Sequence, residues 1–151
     1  MQFTHEVCRA AEVPWREVWR EWNDVSCLPR LLTHVRGAVA GAHEDLARLT
    51  ILLEGRYVEF AAERTMCADR TLCWQSQGEL FFYVLSLRVE TVRDGQTLLT
   101  LSVAYDPPGF LPDIAETLGL SRRFARTLEA DLDRYVQMLR RNCVSELALL
   151  D

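Results

Sequence analysis

Three polar residues fall on faces that the local sequence pattern assigns to the protein interior. Arg64 continues a row of alternating inward positions with Phe60 and Ala62 in a predicted strand. An unpaired buried guanidinium is costly, so Arg64 needs a partner, water or a ligand, unless it lies near enough to the strand end to reach solvent. Both alternatives stay open, and Arg64 becomes a candidate site residue.

Tyr105 and Asp131 present the same problem in two other elements. Tyr105 ends an apolar row of the last predicted strand, where its hydroxyl needs one hydrogen bond; an ordinary core tyrosine is the alternative to a catalytic one. Asp131 falls within the apolar arc of the last helix, where a carboxylate is paired, protonated or facing a wet cavity, unless it only flanks the arc. It could neutralise Arg64 if the helix and the strand approach each other at that level.

An Arg, a Tyr and an Asp directed into one concave apolar space predict a ligand pocket with oriented polar groups. Aromatic and apolar residues complete its predicted walls: Phe60, Trp74, Tyr83, Leu128 and Tyr135.

The elements that position these residues follow from the changing apolar periodicity of the chain. A strand over residues 2–10 precedes helices over 14–23 and 28–33, and six strands follow near 35–41, 45–54, 56–66, 71–77, 80–92 and 96–105. Residues 110–150 are predicted to be helical, with a break at Gly119-Leu120-Ser121 where Ser121 would be an N-cap.

Tight turns between the predicted strands, above all the hairpin signal Asp94-Gly95, favour antiparallel pairing of consecutive strands. The predicted fold is therefore α+β. A curved seven-stranded antiparallel sheet wraps around a long C-terminal helix, two short helices follow the first strand, and residues 1–151 form one domain.

Length and composition limit the class of protein. The 151 residues suit one domain, and 49% apolar with 26% charged residues is a globular composition. A net charge of −5 disfavours broad electrostatic contact with nucleic acid or anionic membranes. The chain begins without a basic and apolar leader and has no apolar stretch of about 18 residues, so a cytoplasmic location is expected.

Metal and cofactor chemistry are not indicated. His5, His34 and His43 have no metal-ligand spacing, and the sequence contains no glycine-rich nucleotide motif or nucleophile elbow. The five cysteines include no C-x-x-C pair and are expected to be mostly reduced.

The element order and several short strings resemble the START/Bet v 1-like helix-grip superfamily, in particular its bacterial polyketide cyclase/dehydrase branch. Four strings in chain order carry the resemblance: Val13-Pro14 with Val18-Trp19, Asn23-Asp24 with Leu28-Pro29-Arg30-Leu31, Trp74-Gln75-Ser76, and Tyr105-Asp106-Pro107-Pro108-Gly109. The resemblance spans nearly the whole chain and is more specific for the fold than for a reaction.

Aromatase/cyclases of this branch have a strand motif W-x-S-x-R whose Arg lines the pocket. The string Phe60-Ala61-Ala62-Glu63-Arg64 is similar, with Phe for Trp, Ala for Ser and the Arg retained. Tyr105 stands where some members have a His, Asp131 resembles an Asp of their long helix, and Val35 replaces a pocket Tyr.

The resemblance implies aldol cyclisation and dehydration of a bound poly-β-ketone. Arg64 would stabilise an enolate or alkoxide, Tyr105 would relay a proton, and Asp131 would act as base or orient Arg64. The implied partners are a hydrophobic small-molecule ligand and the acyl carrier protein of a polyketide synthase. No cofactor or metal is implied, and the protein is expected to be a monomer or a homodimer. The competing hypothesis is a non-catalytic carrier of a lipid, isoprenoid or other hydrophobic molecule, in which Arg64 holds a polar head group.

Overall fold

The described part of the chain contains seven strands and three helices. The computed structural model describes residues 2–78, 80–107 and 114–150, except the side chains of Cys67, 114–117 and 143–150. The strands are β1 (Phe3–Ala11), β2 (Val35–Ala40), β3 (Leu46–Leu53), β4 (Arg56–Ala68), β5 (Thr71–Ser76), β6 (Tyr83–Arg93) and β7 (Gln96–Tyr105). The helices are α1 (Trp15–Asn23), α2 (Leu28–Leu31) and α3 (Ile114–Leu150), with a 3-10 turn at Val25–Cys27 before α2.

The strands form one antiparallel sheet in the order β1-β7-β6-β5-β4-β3-β2. Strands β2 to β7 follow one another as a meander, and β1 returns to pair with β7, where Phe3 lies opposite Tyr105. The predicted α+β helix-grip architecture is confirmed. The two-residue turn at Asp94-Gly95 is also confirmed, and Gly95 has the positive φ of 75° that such a turn favours.

The core lies between the inner face of the sheet and α3. In β7, alternate residues ending at Tyr105 are fully buried, as predicted: Leu99, Leu101, Val103 and Tyr105. The predicted apolar stripe of α3 is buried as well: Phe124, Leu128, Leu132, Tyr135 and Leu139. Period-two burial in the sheet and helical-period burial in α3 therefore meet in one core.

The predicted break near Ser121 is wrong, because α3 runs unbroken from Ile114 to Leu150. Ser121 is buried against β1 and its hydroxyl lies 3.0 Å from Nε2 of His5, so its side chain is used in a tertiary contact. The predicted residues 110–113 of this helix lie outside the described part of the chain.

The oxidation state of one cysteine differs from the expectation that most are reduced. Cys73 is disulfide-bonded, whereas Cys8 and Cys27 carry free thiols. Cys73 is therefore an exception to the expected reduced state. In the described part of the chain, no helix combines the length and the apolarity needed to span a membrane.

Candidate functional site

Phe124 of α3 lies at the centre of a group of polar side chains buried between the sheet and the helix. Its ring centroid is 4.9 Å from that of His34, 5.2 Å from that of Tyr105 and 5.7 Å from that of His5. His34 precedes β2, Tyr105 ends β7 and His5 lies in β1. The fold thus gathers polar groups from three strand ends around one aromatic ring.

His34 and Tyr83 form a buried hydrogen bond. Nε2 of His34 lies 2.6 Å from the Tyr83 hydroxyl, and the two residues are 3% and 0% exposed. Burial lowers the pKa of His34 from about 6.5 to about 3 and raises the pKa of Tyr83, so both groups are neutral at pH 7. Nδ1 of His34 is buried and has no hydrogen-bond partner among the described residues.

The Tyr105 hydroxyl is also buried without a partner in the described part of the chain, as are the indole N–H groups of Trp22 in α1 and Trp74 in β5. Burial raises the pKa of Tyr105 to about 12, so the phenol stays protonated and able to donate at neutral pH. The neighbouring Glu54 carboxylate contributes to this shift, but the two side chains do not meet hydrogen-bond geometry. Tyr105 therefore retains an unused donor in the interior.

Glu54 enters the group from the turn between β3 and β4. Glu54 has a φ of 53° and Gly55 a φ of 79°, the two positive values of a type I′ hairpin turn. Asn, Asp and Gly are favoured at the first of these positions, and the left-handed conformation costs another residue about 1–2 kcal/mol. Burial raises the pKa of Glu54, and neither carboxylate oxygen has a partner among the described residues.

These groups adjoin a cavity of about 230 Å³ between β2, the β3–β4 turn and α3. Its wall includes His34, Leu52, Glu54, Phe124 and Thr127. The exposed residues Arg36 and Arg123 also line it, where it opens to solvent. The cavity can hold a small apolar group and offers acceptors and donors at its inner wall.

Arg64 lies away from this cavity and is paired within the protein. Its Nε and Nη2 donate to Oδ1 of Asp45 at 3.1 and 3.0 Å, and its Nη1 donates to the backbone and side-chain oxygens of Asn23, both at 2.9 Å. Its guanidinium carbon is 5.7 Å from the ring centroid of Trp74. With its side chain 16% exposed, Arg64 joins the end of α1 to the start of β3.

Asp131 is 1% exposed and binds the loop between α2 and β2. Its carboxylate accepts from the backbone N–H of Thr33 at 2.8 Å and from the Thr33 hydroxyl at 2.5 Å, and it pairs with Arg134 at 3.0 Å. The anticipated neutralisation of Arg64 by Asp131 does not occur, because each has other ionic partners. Asp131 therefore holds the segment that contains Thr33 and His34 against α3.

The predicted wall residues are buried, as their sequence pattern implies. Phe60, Trp74, Tyr83, Leu128 and Tyr135 are all at most 7% exposed. The rings of Phe60 and Tyr83 lie 5.2 Å apart. The Tyr135 hydroxyl donates to Glu21 at 3.1 Å, so Tyr135 faces the α1 side of the core. The structure brings Phe60 and Tyr83 together with the buried polar group around Phe124.

The sequence matches no protein-family model and no curated protein. Solved structures do match. A START superfamily protein from Mycobacterium smegmatis has a TM-score of 0.72 at 14% identity, covering 90% of this chain and 98% of that one. The ZhuI aromatase/cyclase from Streptomyces sp. R1128 has a TM-score of 0.69 at 12% identity, covering 95% and 96%. A major latex-like protein from Panax ginseng has a TM-score of 0.52 at 16% identity, covering 85% and 96%.

The chain has the START/Bet v 1-like helix-grip fold. At 12–16% identity, the similarity to these three structures establishes the fold alone.

Sequence reasoning missed the roles of His34, Glu54 and Phe124 in this helix-grip interior. His34 was considered only as a metal ligand, and Phe124 only as part of the apolar stripe of α3. An available signal was Glu54-Gly55, because a Glu is unusual at the first position of a two-residue hairpin turn. Their proximity depends on how α3 crosses the sheet, which a single sequence does not reveal.

Replacing Asp131 by Ala should destabilise the protein strongly. The change removes a buried carboxylate that accepts two hydrogen bonds from Thr33, and we expect the free energy of unfolding to fall by about 3 kcal/mol in urea denaturation. Asp133→Ala is the matched control. It removes a half-exposed carboxylate paired with Arg9, for which we expect a loss below about 1 kcal/mol. Equal losses in the two variants would contradict the role assigned to Asp131.

Acid should destabilise the protein through His34. Because the imidazole pKa is about 3 when folded and about 6.5 when unfolded, the unfolded chain binds more protons between these values. Stability therefore falls as the pH decreases through this range. Between pH 7 and pH 5, we expect the wild type to lose about 2 kcal/mol more than His34→Gln in urea denaturation. Glu54 titrates in both proteins, so the difference isolates the imidazole; parallel pH dependences would show that His34 is not buried as described.

Proposed function

We propose that this protein binds a hydrophobic small molecule with a polar head group between the sheet and α3. The head group would contact Nδ1 of His34, the Glu54 carboxylate and the Tyr105 hydroxyl, and the apolar part would extend toward Phe60 and the core. The observation that carries this proposal is the group of buried, unpaired polar atoms of His34, Glu54 and Tyr105. His34 and Glu54 line the cavity, and the Tyr105 ring packs against Phe124 of the same wall.

Hydrogen-bond energetics support the proposal. A buried polar group without a partner costs about 1–3 kcal/mol, and proteins seldom retain several such groups in one place. A ligand with a carbonyl or hydroxyl group could accept from the Tyr105 phenol and complete the hydrogen bonding of His34 or Glu54. The positive φ of Glu54 adds a backbone cost at the same place, which is typical of functional positions.

The arrangement suits a carrier of a lipid, isoprenoid or similar molecule. His34 and Tyr83 are neutral at pH 7, so the inner wall favours a neutral polar head over a charged one. The START superfamily protein among the structural neighbours shares the fold over most of both chains, which agrees with an interior used for ligands.

A second candidate is aldol cyclisation and dehydration of a polyketide-type substrate delivered by an acyl carrier protein. The fold shared with a Streptomyces aromatase/cyclase favours it, as does the protonated Tyr105 phenol. In this hypothesis Tyr105 gives a proton to the developing alkoxide. The predicted roles of Arg64 and Asp131 would require both residues to exchange their present partners for substrate.

Ligand binding can be tested by filling the cavity. Thr127 lines it, so Thr127→Trp should weaken binding of the small neutral probe 4-fluorophenol, followed by its 19F resonance, by about tenfold or more. Arg126→Trp is the control, because it places the same side chain on the exposed face of α3. Far-UV circular dichroism checks that both variants fold. If both variants bind the probe like the wild type, or if both lose it alike, the ligand does not occupy this cavity.

Catalysis can be tested with a minimal polyketide synthase. If the protein is a cyclase, its addition changes the distribution of cyclised products. Tyr105→Phe should reduce that change by about 10²-fold, whereas probe binding should weaken by no more than the about tenfold that one lost hydrogen bond explains. Tyr57→Phe, at an exposed position of β4, is the matched control and should behave like the wild type. Arg64→Ala tests its predicted role in the same assay. An unchanged product distribution together with tight probe binding would favour the carrier.

A further inference from the structure

A second groove lies on the outside of α3, against α2. It has a volume of about 280 Å³. Its floor is apolar: Leu31 and the ring of Tyr135 are each 3% exposed, and Met138 is half-buried. The Tyr135 hydroxyl is occupied by Glu21, so the ring offers the groove its apolar surface.

Three guanidiniums surround this floor. Arg141 has no ion pair with another described residue, and Arg30 reaches Glu21 only at 3.8 Å with its side chain 67% exposed. Arg134 pairs with Asp131 at 3.0 Å, but that carboxylate also accepts two hydrogen bonds from Thr33.

The groove therefore has unused positive charge. Gln137, which also lines the groove, is neutral. Among the described residues, Asp131 and Glu21 are the carboxylates paired with the arginines of the groove, and Asp24 lies near enough to Arg30 to interact with it electrostatically.

This charge is local and opposes the net charge of the chain, which is −5. The other flank of α3 carries Arg122 and Arg140, but there Glu129 and Asp133 accompany them, and Asp133 pairs with Arg9 at 2.6 Å. A helical period of 3.6 residues places Arg134 and Arg141 together on the α2 side.

We propose that the groove between α2 and α3 binds an amphipathic anion, an alkyl carboxylate or alkyl phosphate, with the alkyl chain on Leu31, Tyr135 and Met138 and the anionic head between Arg30 and Arg141. Guanidinium groups bind carboxylates and phosphates through charge-assisted, often bidentate hydrogen bonds. At roughly 30 Å³ for each water-sized group, 280 Å³ accommodates a chain of about eight carbons. This proposal does not depend on the interior site.

Methyl resonances of methionine provide a local test of where such a ligand binds. In protein labelled with [13C-methyl]methionine, octanoate or octyl phosphate should shift the Met138 methyl resonance and leave that of Met66 in place. Met66 is 63% exposed on β4, away from α3, and serves as an internal control. Octan-1-ol, which lacks the anionic head, should produce a much smaller Met138 shift at the same concentration.

Arginine variants test the charge requirement. The double variant Arg30→Gln/Arg141→Gln should weaken octanoate binding by about tenfold, and 0.5 M NaCl (about three times physiological ionic strength) should weaken it in the wild type. Arg122→Gln/Arg140→Gln makes the same change in net charge on the other flank and should bind octanoate like the wild type. Comparing octanoate with octyl phosphate shows which head group the arginines prefer.

Thr127→Trp distinguishes octanoate binding in the groove from binding in the interior cavity. If octanoate binds in the groove, this variant should show the same shift of the Met138 methyl resonance as the wild type. The proposal is overturned if the Met138 shift is absent at concentrations up to about 10 mM, a weak limit for roughly ten heavy atoms. It is also overturned if octan-1-ol matches octanoate, or if the two double variants respond alike. Loss of the octanoate response in Thr127→Trp alone would place the anion in the interior and overturn the groove proposal without touching the interior one.

Discussion

The structure depends on a hydrogen-bonding constraint at one end of its core. More polar atoms are buried there, between the sheet and α3, than have hydrogen-bond partners among the described residues. His34 and Tyr83 satisfy each other through one hydrogen bond. Nδ1 of His34, the Tyr105 hydroxyl and the Glu54 carboxylate keep unused capacity around Phe124. Since buried polar groups of this kind are destabilising unless they are paired, their clustering at a cavity is the strongest indication of a ligand.

Polar residues elsewhere in the interior show the contrast. Arg64 donates four hydrogen bonds to Asp45 and Asn23, and Asp131 accepts two from Thr33 in addition to its pair with Arg134. These two residues position segments of the fold: Arg64 joins α1 to β3 and β4, and Asp131 holds the start of β2 against α3. The indole N–H groups of Trp22 and Trp74 also lack a partner among the described residues, whereas His34, Glu54 and Tyr105 combine their unused donors and acceptors at one end of the core.

The fold could be predicted from the sequence because its signals are local. Period-two burial located the strands, Asp94-Gly95 located a hairpin, and the stripe from Phe124 to Leu139 located the inner face of α3. The same periodicity placed Tyr105 in the interior and Asp131 within the apolar arc of α3 or at its flank, and both side chains are buried. The predicted helix break failed because Ser121 uses its hydroxyl on His5 of β1, a contact between distant parts of the chain.

The site could be predicted only in part, for the same reason. Sequence pattern shows which face a side chain occupies, but not which partner it meets across the core. It therefore placed Arg64 on the inward face of its strand, with burial or reach to solvent as alternatives, and did not reveal its partners Asp45 and Asn23. It also passed over His34 and Glu54, whose importance comes from a cavity built by β2, the β3–β4 turn and α3 together.

The most direct test of the central claim is a high-resolution crystal structure of the protein purified without detergent and without added ligand. We expect electron density for a non-protein molecule in the cavity beside Phe124, with polar atoms within about 3.2 Å of the Tyr105 hydroxyl and of Nδ1 of His34. A closed cavity in which His34, Glu54 and Tyr105 complete their hydrogen bonds with protein groups alone would contradict it.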